Sequence, residues 1–555
     1  MKLDMVTVQV ISNRIGEIQN VMMQTLFRTG YSVILRESKD GSAGITDKEG
    51  GCIKAVGGLT MDHSIAYRYG IRSILAAWPR QEIRDGDIFI FNDPYQSGNF
   101  HLPDISQATP VFYDRQLVAF CTSTSHKADV GGLVPGSSGG ASRSLFHEGI
   151  IIPPVKVCEQ GKLNESIMRL LMRNSREPYL LGGDLRGQQG CLVQGAEMLK
   201  RLCHEYGIEV VLGSFEEIMN ISERRMRTAL RELPDGETEV ERYLDNDGAD
   251  LTKPVKIHLR LKKIGDCISL DFSGSDPQTV GPVNGLPSLV EAMSLRTIVG
   301  FLDPDIVVNQ GTARVIELTV PEGCVLNPVF PAPKNAYVPT GRMVRHCVMA
   351  ALSELYPERA VAELGIGSGA LTFGYRQARA GQHYVQYEIV FSAIGANSTS
   401  DGANLLSTIA NSAFVAPIEI LETEYPVKVR EFDIRPDSGG AGKYRGGVAY
   451  IREYQVLEDC SFTARVSGMR FSAQGIHGGK AARKARLIVN PGTPEERELP
   501  ALCSTELHAG DIVRHEEAGG GGYGDALQRD RDAVIRDVED GYVTAEAAKE
   551  EYGLG

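Results

Sequence analysis

Residues 100–132, FHLPDISQATPVFYDRQLVAFCTSTSHKADVGG, carry the reading on which the rest of the fold depends. Thr109 to Tyr113 and Leu117 to Thr122 read as two strands joined by the tight turn Asp114-Arg115-Gln116. An antiparallel hairpin returns the chain to the end from which it left. His101 and Asp104 precede the first strand and His126 follows the second, so the hairpin predicts that these three meet at its open end; Asp129 belongs to the same stretch, its role left open. Two imidazoles and a carboxylate converging on a loop-rich end form a mononuclear divalent-metal site with open positions, suited to Zn, Mn or Fe(II). Spacing alone leaves open the alternative that these are surface residues or hydrogen-bonded core residues.

Working outward, Ile11, Ile15, Ile18, Met22 and Leu26 recur at three and four and predict an amphipathic helix over residues 7–28, with Gly30 placed to end it. A strand over 31–37, a Gly/Asp-rich turn over 39–51, an apolar run over 53–56 and a helix over 64–78 follow. The run IFIF after Asp85-Gly86-Asp87 reads as a short buried strand, and helical periodicity returns over 164–206. Alternation dominates residues 239–283, two apolar helices are expected over 290–301 and 343–355, and the chain is then Gly-punctuated and strand-like to about residue 513. The C-terminal residues carry two short helical patterns, one from Asp532 and one capped by Thr544, expected to dock on the body or on a partner. The expected fold class is mixed α/β (α+β) and multi-domain: an N-terminal α/β domain over 1–235 holding the metal site at the hairpin's open end, a β-rich α/β region over 236–515, and a Gly-rich turn with a helical tail over 516–555.

Composition narrows the function. The chain has 555 residues, 42% hydrophobic and 23% charged, with 61 Gly and 26 Pro, which is ordinary globular composition. Lys and Arg total 58 against 71 Asp and Glu, and the net charge of −13 opposes binding to a phosphate backbone, so no nucleic-acid partner is expected. No stretch approaches the ~18 uncharged apolar residues of a membrane span. Asp4 and Asn13 stand where a secretory signal needs its apolar run, so a cytoplasmic location is expected. The 10 Cys lie far apart without a CxxC, which fits reduced thiols better than a disulfide framework or a structural zinc site.

Several stretches together resemble the hydantoinase B family, the second subunit type of ATP-dependent hydantoinases, 5-oxoprolinases and related acetone- and acetophenone-carboxylase subunits. They are NDPYQSGNFHLPD (92–104), SHKADVGGLVPGSS (125–138), EGIIIPP (148–154), GGDLRGQ around Asp184, DFSGSDPQTVGPVN around Asp271, RPDSGGAGKYRGG (435–447) and the tail from residue 518 to 553. The resemblance implies an enzyme subunit working with a hydantoinase A-type partner, an actin-like chain that uses ATP and Mg to phosphorylate a lactam or ketone oxygen. It also implies one divalent ion on His101, Asp104 and His126, the residues expected to be catalytic, with Asp40 of RESKDGS as a fourth ligand. Gly41 stands where the family usually has an aromatic residue, and Lys127 where it often has a second His or an aromatic. The implied chemistry is physically coherent. A bound divalent cation lowers the pKa of water from 15.7 toward about 7 and polarises a carbonyl, and phosphorylating a lactam oxygen makes it a good leaving group.

The leading expectation is therefore a cyclic-amide hydrolase subunit acting in a hetero-oligomer, with a biotin-independent ketone carboxylase as the alternative on the same site. A metal-free scaffold for the ATP-using partner is opposed by the intact His101, Asp104 and His126. A 2-His-1-carboxylate oxygenase is opposed by their spacing, because those enzymes place His and carboxylate two apart rather than three. Three glycine motifs are decoys. No GxxxxGK[ST] occurs, and the nearest string has Tyr444 where the Mg-binding hydroxyl belongs. Gly136-Ser137-Ser138-Gly139-Gly140 satisfies GxSxG without a strand before it. Gly519, Gly521 and Gly524 satisfy GxGxxG with too little chain following for a βαβ unit. Asp437 and Arg445 are expected to stitch a tight loop as an ion pair.

Overall fold

In the computed structural model, which describes residues 3–55, 61–367, 369–376, 383–405 and 413–555, the hairpin forms the middle of an antiparallel sheet. Its strands are β1 (Gly41–Asp47), β2 (Ile88–Phe91), β3 (Asp104–Tyr113), β4 (Gln116–His126), β5 (Val155–Glu159) and β6 (Lys162–Leu163), in the order β1-β4-β3-β2-β5-β6. The turn uses two residues, Asp114 and Arg115, both at positive φ (47° and 65°), the left-handed pair that matches a hairpin turn to strand twist. Both strands extend further toward the open end than their apolar alternation suggests, and Asp104 pairs directly with His126. Buried polar side chains account for the extension: Ser106 Oγ lies 2.6 Å from Thr124 Oγ1, and Gln107 Nε2 donates to Leu185 O at 3.1 Å.

Two local expectations are corrected. Residues 41–47 form a strand, not a turn, and pair with β4 from Gly41 opposite Ser125 to Asp47 opposite Ala119. Small residues fit there because the Met61–Ala77 helix presses on that face: a Cβ at Gly44 would stand 2.8 Å from the Tyr67 ring. The turn proper follows, where Glu49 N and Gly51 N donate to Asp47 Oδ1 at 2.8 Å. Residues 31–37 contain a helical turn, Val33–Arg36, not a strand. Asp184 imposes it from a distance by accepting the amides of Tyr31 and Ser32. Of the apolar run over 53–56, Ile53 is fully buried and Val56 lies outside the described residues.

The Met61–Ala77 helix covers one face of the sheet. On the other, the Pro178–Tyr206 helix is sewn to β3 where Gln188 Nε2 donates to Ile105 O at 3.0 Å. The Met5–Arg28 helix packs beside it against β1, where a Cβ at Gly41 would stand 3.1 Å from Leu26, and is capped by Asp4 and buries Ile11, Ile15, Ile18, Met22 and Leu26. Gly207 at φ 82° joins Pro178–Tyr206 to a further helix, Ile208–Arg231.

A second sheet holds β7 (Gly236–Leu244), β8 (Val255–Ile264), β9 (Cys267–Asp271) and β10 (Ile316–Thr319), with β10 parallel to β9 and the other neighbours antiparallel. The Pro287–Leu302 and Tyr337–Leu355 helices share its core, Ile257, Leu259 and Leu261 packing with Val344, Cys347 and Val348. The remaining strands are β11 (Gly369–Tyr375), β12 (Val385–Val390), β13 (Val427–Ile434), β14 (Tyr450–Val456), β15 (Cys460–Arg465), β16 (Arg486–Val489), β17 (Arg497–Glu498), β18 (Leu502–Leu507) and β19 (Ile512–Glu516). They sort into sheets β12-β11-β15-β18 and β13-β14-β19-β16-β17 around one aromatic-rich core. The fold is mixed α/β with several sheets.

Beside these sheets, four Gly-rich segments near residues 394, 440, 476 and 520 run against one another backbone to backbone. Gly440 N donates to Gly520 O at 2.8 Å, Gly447 N to Ile394 O at 2.9 Å and Gly522 N to Lys480 O at 3.0 Å. A Cβ at Gly439, Gly446 or Gly519 would stand 1.9–2.1 Å from a facing carbonyl oxygen. The GxGxxG glycines serve this packing. The tail helices Arg531–Glu539 and Ala545–Tyr552 dock on the same region: Arg529 bridges Asp401 and Asp537, and Thr544 caps the last helix. The expected Asp437–Arg445 pair does not form. Arg445 Nε lies 3.3 Å from Asp537, while Asp437 accepts from Thr544 N and pairs with Arg483, because the docked tail brings Asp537 and Thr544 to partners that the local loop reading left out. All ten cysteines are free, and among the described residues no helix is long and apolar enough to cross a membrane.

Candidate metal centre

The register of the hairpin sets this site. Asp104 opens β3, His126 closes β4 opposite it, and His101 precedes Asp104 by three residues. All three are at most 2% exposed. Each offers a ligand atom within 4.8 Å of the other two, and among the described residues this is the one group of three or more His, Cys, Asp or Glu that converges in this way.

His101 Nε2 lies 2.9 Å and His126 Nδ1 3.1 Å from the same oxygen, Asp104 Oδ1. His126 Nδ1 makes a hydrogen bond to it, yet both nitrogens of His101 and the Nε2 of His126 have no hydrogen-bond partner. Close approach without hydrogen-bond alignment is how donors aimed at a common point behave, since ligands each about 2.1 Å from one ion sit roughly 3.0–3.4 Å apart. Buried nitrogens left unpaired are costly, and an ion at the shared point would take one nitrogen from each imidazole, His101 Nε2 among them. The donor set of two imidazoles and one carboxylate fits a borderline divalent ion.

The electrostatics agree. Burial opposes charge on Asp104, but His101, His126 and His63 outweigh it and hold its carboxyl well below the usual carboxylate range. Burial pushes His101 and His126 down, so both imidazoles are neutral, the form in which they donate a lone pair. His63, which the sequence reading did not single out, is held upward: burial opposes its charge, and Asp104 wins. Its Nε2 lies 3.4 Å from Asp104 Oδ2, to which Tyr337 also donates at 3.5 Å. One carboxylate oxygen thus faces His101 and His126, and the other is fixed by His63, whose pKa Asp104 holds upward against burial, and by a phenol. Tyr387 packs its ring 4.4 Å from that of His126 and takes a hydrogen bond from Arg465 at 2.7 Å.

Asp40 reaches the site by its backbone, its carbonyl accepting from His126 N at 3.1 Å, and its side chain lines the same cavity. Its carboxylate does not join the converging three, and burial raises its pKa. Asp129 is committed elsewhere, accepting from Gly131 N, Gly136 N and both the amide and guanidinium of Arg176. Lys127 is fully buried and donates to Gln188 and Ser125, which burial accompanies with a pKa pushed down to about 8. Ser138 of the GxSxG string donates to Gly136 O. His63 was missed because nothing in its spacing ties it to residues 101–126; the Met61–Ala77 helix delivers it across the sheet.

The cluster opens on a cavity of about 80 Å³ whose other walls include Tyr337, Arg342, Met293 and Val390. A larger cavity, about 390 Å³, shares Arg345 with it but touches none of the three converging residues.

The sequence model of the Hydantoinase B/oxoprolinase family matches residues 4–526. The chain is 32% identical over 575 residues to the provisionally named B component of the D-/L-hydantoinase of Pseudomonas sp. (strain NS671), covering 100% of this chain and 95% of that one. It is 28% identical to the beta component of the caprolactamase of Pseudomonas jessenii, covering 99% and 96%. The crystal structure of the ATP-dependent caprolactamase from Pseudomonas jessenii superposes with a TM-score of 0.92 at 26% identity over 100% of this chain and 96% of that chain. A nucleotide-free acetone carboxylase structure shares the fold at a TM-score of 0.88 and 20% identity, over 99% and 79%.

Proposed function

This chain belongs to the Hydantoinase B/oxoprolinase family, and from that premise we propose that it is the metal-holding subunit of an ATP-dependent enzyme that opens a cyclic amide. The observation that carries the reading is the convergence of His101, Asp104 and His126, with unpaired nitrogens on the two imidazoles, which line a cavity. These three would hold one divalent ion, Zn or Mn by donor chemistry with Fe(II) less suited, and Asp40 is the proposed fourth donor. The ion would supply Lewis acidity to a carbonyl or phosphoryl oxygen and make water acidic enough to attack at neutral pH. The protein's own groups do the rest. His63 and Tyr337 fix the Asp104 carboxylate, and the Tyr337 phenol, its pKa raised by burial, stays a proton donor at the cavity wall. Met293 and Val390 keep the far wall apolar.

An ATP-using partner of hydantoinase A type would phosphorylate the amide oxygen before ring opening. The names of the relatives, a hydantoinase component, a caprolactamase component and a 5-oxoprolinase from Dictyostelium discoideum, support a lactam over a ketone. The chain matches 41% of the length of that oxoprolinase, in keeping with a separate partner. The test is metal analysis of the purified two-subunit complex with ATP turnover on lactams and ketones, with and without bicarbonate. Ring opening of a lactam without bicarbonate, and none from this chain alone, is expected; bicarbonate-dependent consumption of a ketone would move the assignment to a carboxylase.

His63 tests the reading from behind the ligands. Partners that orient a ligand typically contribute 10–100-fold to metal affinity or activity. The His63→Gln protein is therefore expected to lose its ion to a competing chelator about 10–100-fold more readily, with the other residues' positions retained. An unchanged chelator competition curve would remove His63 from the site.

A further inference from the structure

Arg342 lies on the Tyr337–Leu355 helix and lines the same cavity as His101 and His126. It is 7% exposed, and its Nη1 has no hydrogen-bond partner. Arg345, one helical turn on, differs: its Nη2 lies 2.8 Å from Asp62 Oδ2, and Arg296 approaches the other Asp62 oxygen at 3.6 Å. Asp62 is thereby committed. Glu517 and Asp62 attract the Arg342 guanidinium electrostatically without bonding to it, and Glu517 itself accepts from Ala518 N while burial pushes its carboxyl up to about 8. Burial, then repulsion from Arg345, lowers Arg342 to about 9. A guanidinium held inside a protein without a partner costs stability, and a functional site is where such a cost is retained.

Its chemistry narrows what relieves it. The planar fork matches the two oxygens of a carboxylate or phosphoryl group. We infer that Arg342 is the oxyanion-recognition residue of this cavity, taking a carboxylate or phosphoryl group of the molecule whose reacting carbonyl faces the His101–Asp104–His126 cluster. The inference rests on the functional reading above and adds a substrate class: a molecule anionic at one end, by its own carboxylate or through activation by phosphate. A neutral, unphosphorylated amide leaves Arg342 unpaired.

The test uses the full chain loaded with its metal, with inorganic phosphate and acetate as probes in titration calorimetry. The unmodified chain is expected to bind at least one probe, the preferred one separating a phosphoryl from a carboxylate source. Arg342→Gln should weaken that binding at least tenfold, with Arg342→Lys in between. Because Arg342→Gln removes an unpaired buried charge, its melting temperature should equal or exceed that of the unmodified chain. Equal probe affinity in both proteins, or no binding to the unmodified chain, would overturn the inference. So would a melting temperature several degrees lower, which would make Arg342 a structural partner of Glu517. Repeating the titration in the His126→Ala background separates the two readings. Phosphate or acetate binding that still depends on Arg342 there, in a chain whose metal content His126 never controlled, would sink the metal reading and leave this one standing. Loss of the Arg342 dependence with the ion in place would sink this one alone.

Discussion

The His126→Ala protein is expected to fold, to hold no stoichiometric divalent ion and to lose ring-opening activity by more than 10²-fold, beyond the range typical of residues that only orient a ligand. The expectation follows from register. His126 closes β4 opposite Asp104, so no neighbouring side chain can be moved into its place without slipping the hairpin by a residue and turning every side chain to the other face. Truncating a buried ring costs on the order of 1–3 kcal/mol, which a domain stable by about 5–15 kcal/mol survives. Elemental analysis of the two-subunit complex and its circular dichroism decide the matter. Full metal occupancy in the folded variant would remove His101, Asp104 and His126 from the chemistry.

The second large effect is an uncoupling. In the Asp104→Ala complex, product formation is expected to fall by more than 10²-fold while substrate-dependent phosphate release falls far less, because on the proposed reading Asp104 would hold an ion that serves the later half of the reaction. Asp104 is the hub of the site, its two oxygens shared among His101, His126, His63 and Tyr337, so its removal dismantles the cluster at one stroke. Phosphorylation would occur on the partner, upstream, and an activated lactam left without its next step would leak to water. The quantity to measure is the ratio of phosphate released to product formed. A ratio equal to that of the unmodified complex, with both activities falling together, would refute the division of labour and favour one site serving both steps.

How far the sequence could be read depended on whether the deciding contacts were local. The hairpin was legible because apolar alternation and a tight turn lie within one short stretch, and His101, Asp104 and His126 came with it. The last helix was legible because Thr544 caps it from the adjacent position. β1 was not: Gly41, Ser42 and Gly44 read as a turn, and they are extended only because β4 pairs with them and Tyr67 leaves no room for a side chain. Val33–Arg36 is helical because Asp184, far along the chain, holds the amides before it. His63 and Arg342 reach the cavity on helices delivered by other parts of the fold, and Arg445 finds Asp537 only when the tail docks. In each case the missing information was a partner far along the chain or a helix face set by tertiary packing.

The stacked glycine segments have a genetic consequence. Every missense change in a glycine codon adds at least a Cβ, and at Gly439, Gly446, Gly519 and Gly520 that atom would land 1.9–2.2 Å from a carbonyl oxygen of a facing strand of chain. Sequence drift at these codons has no mild intermediate step, because alanine, the smallest replacement, already collides with backbone that cannot rotate away. A saturation library of this gene should therefore tolerate synonymous changes alone at those positions. The face that docks the tail can be reshaped only through the residues between the glycines.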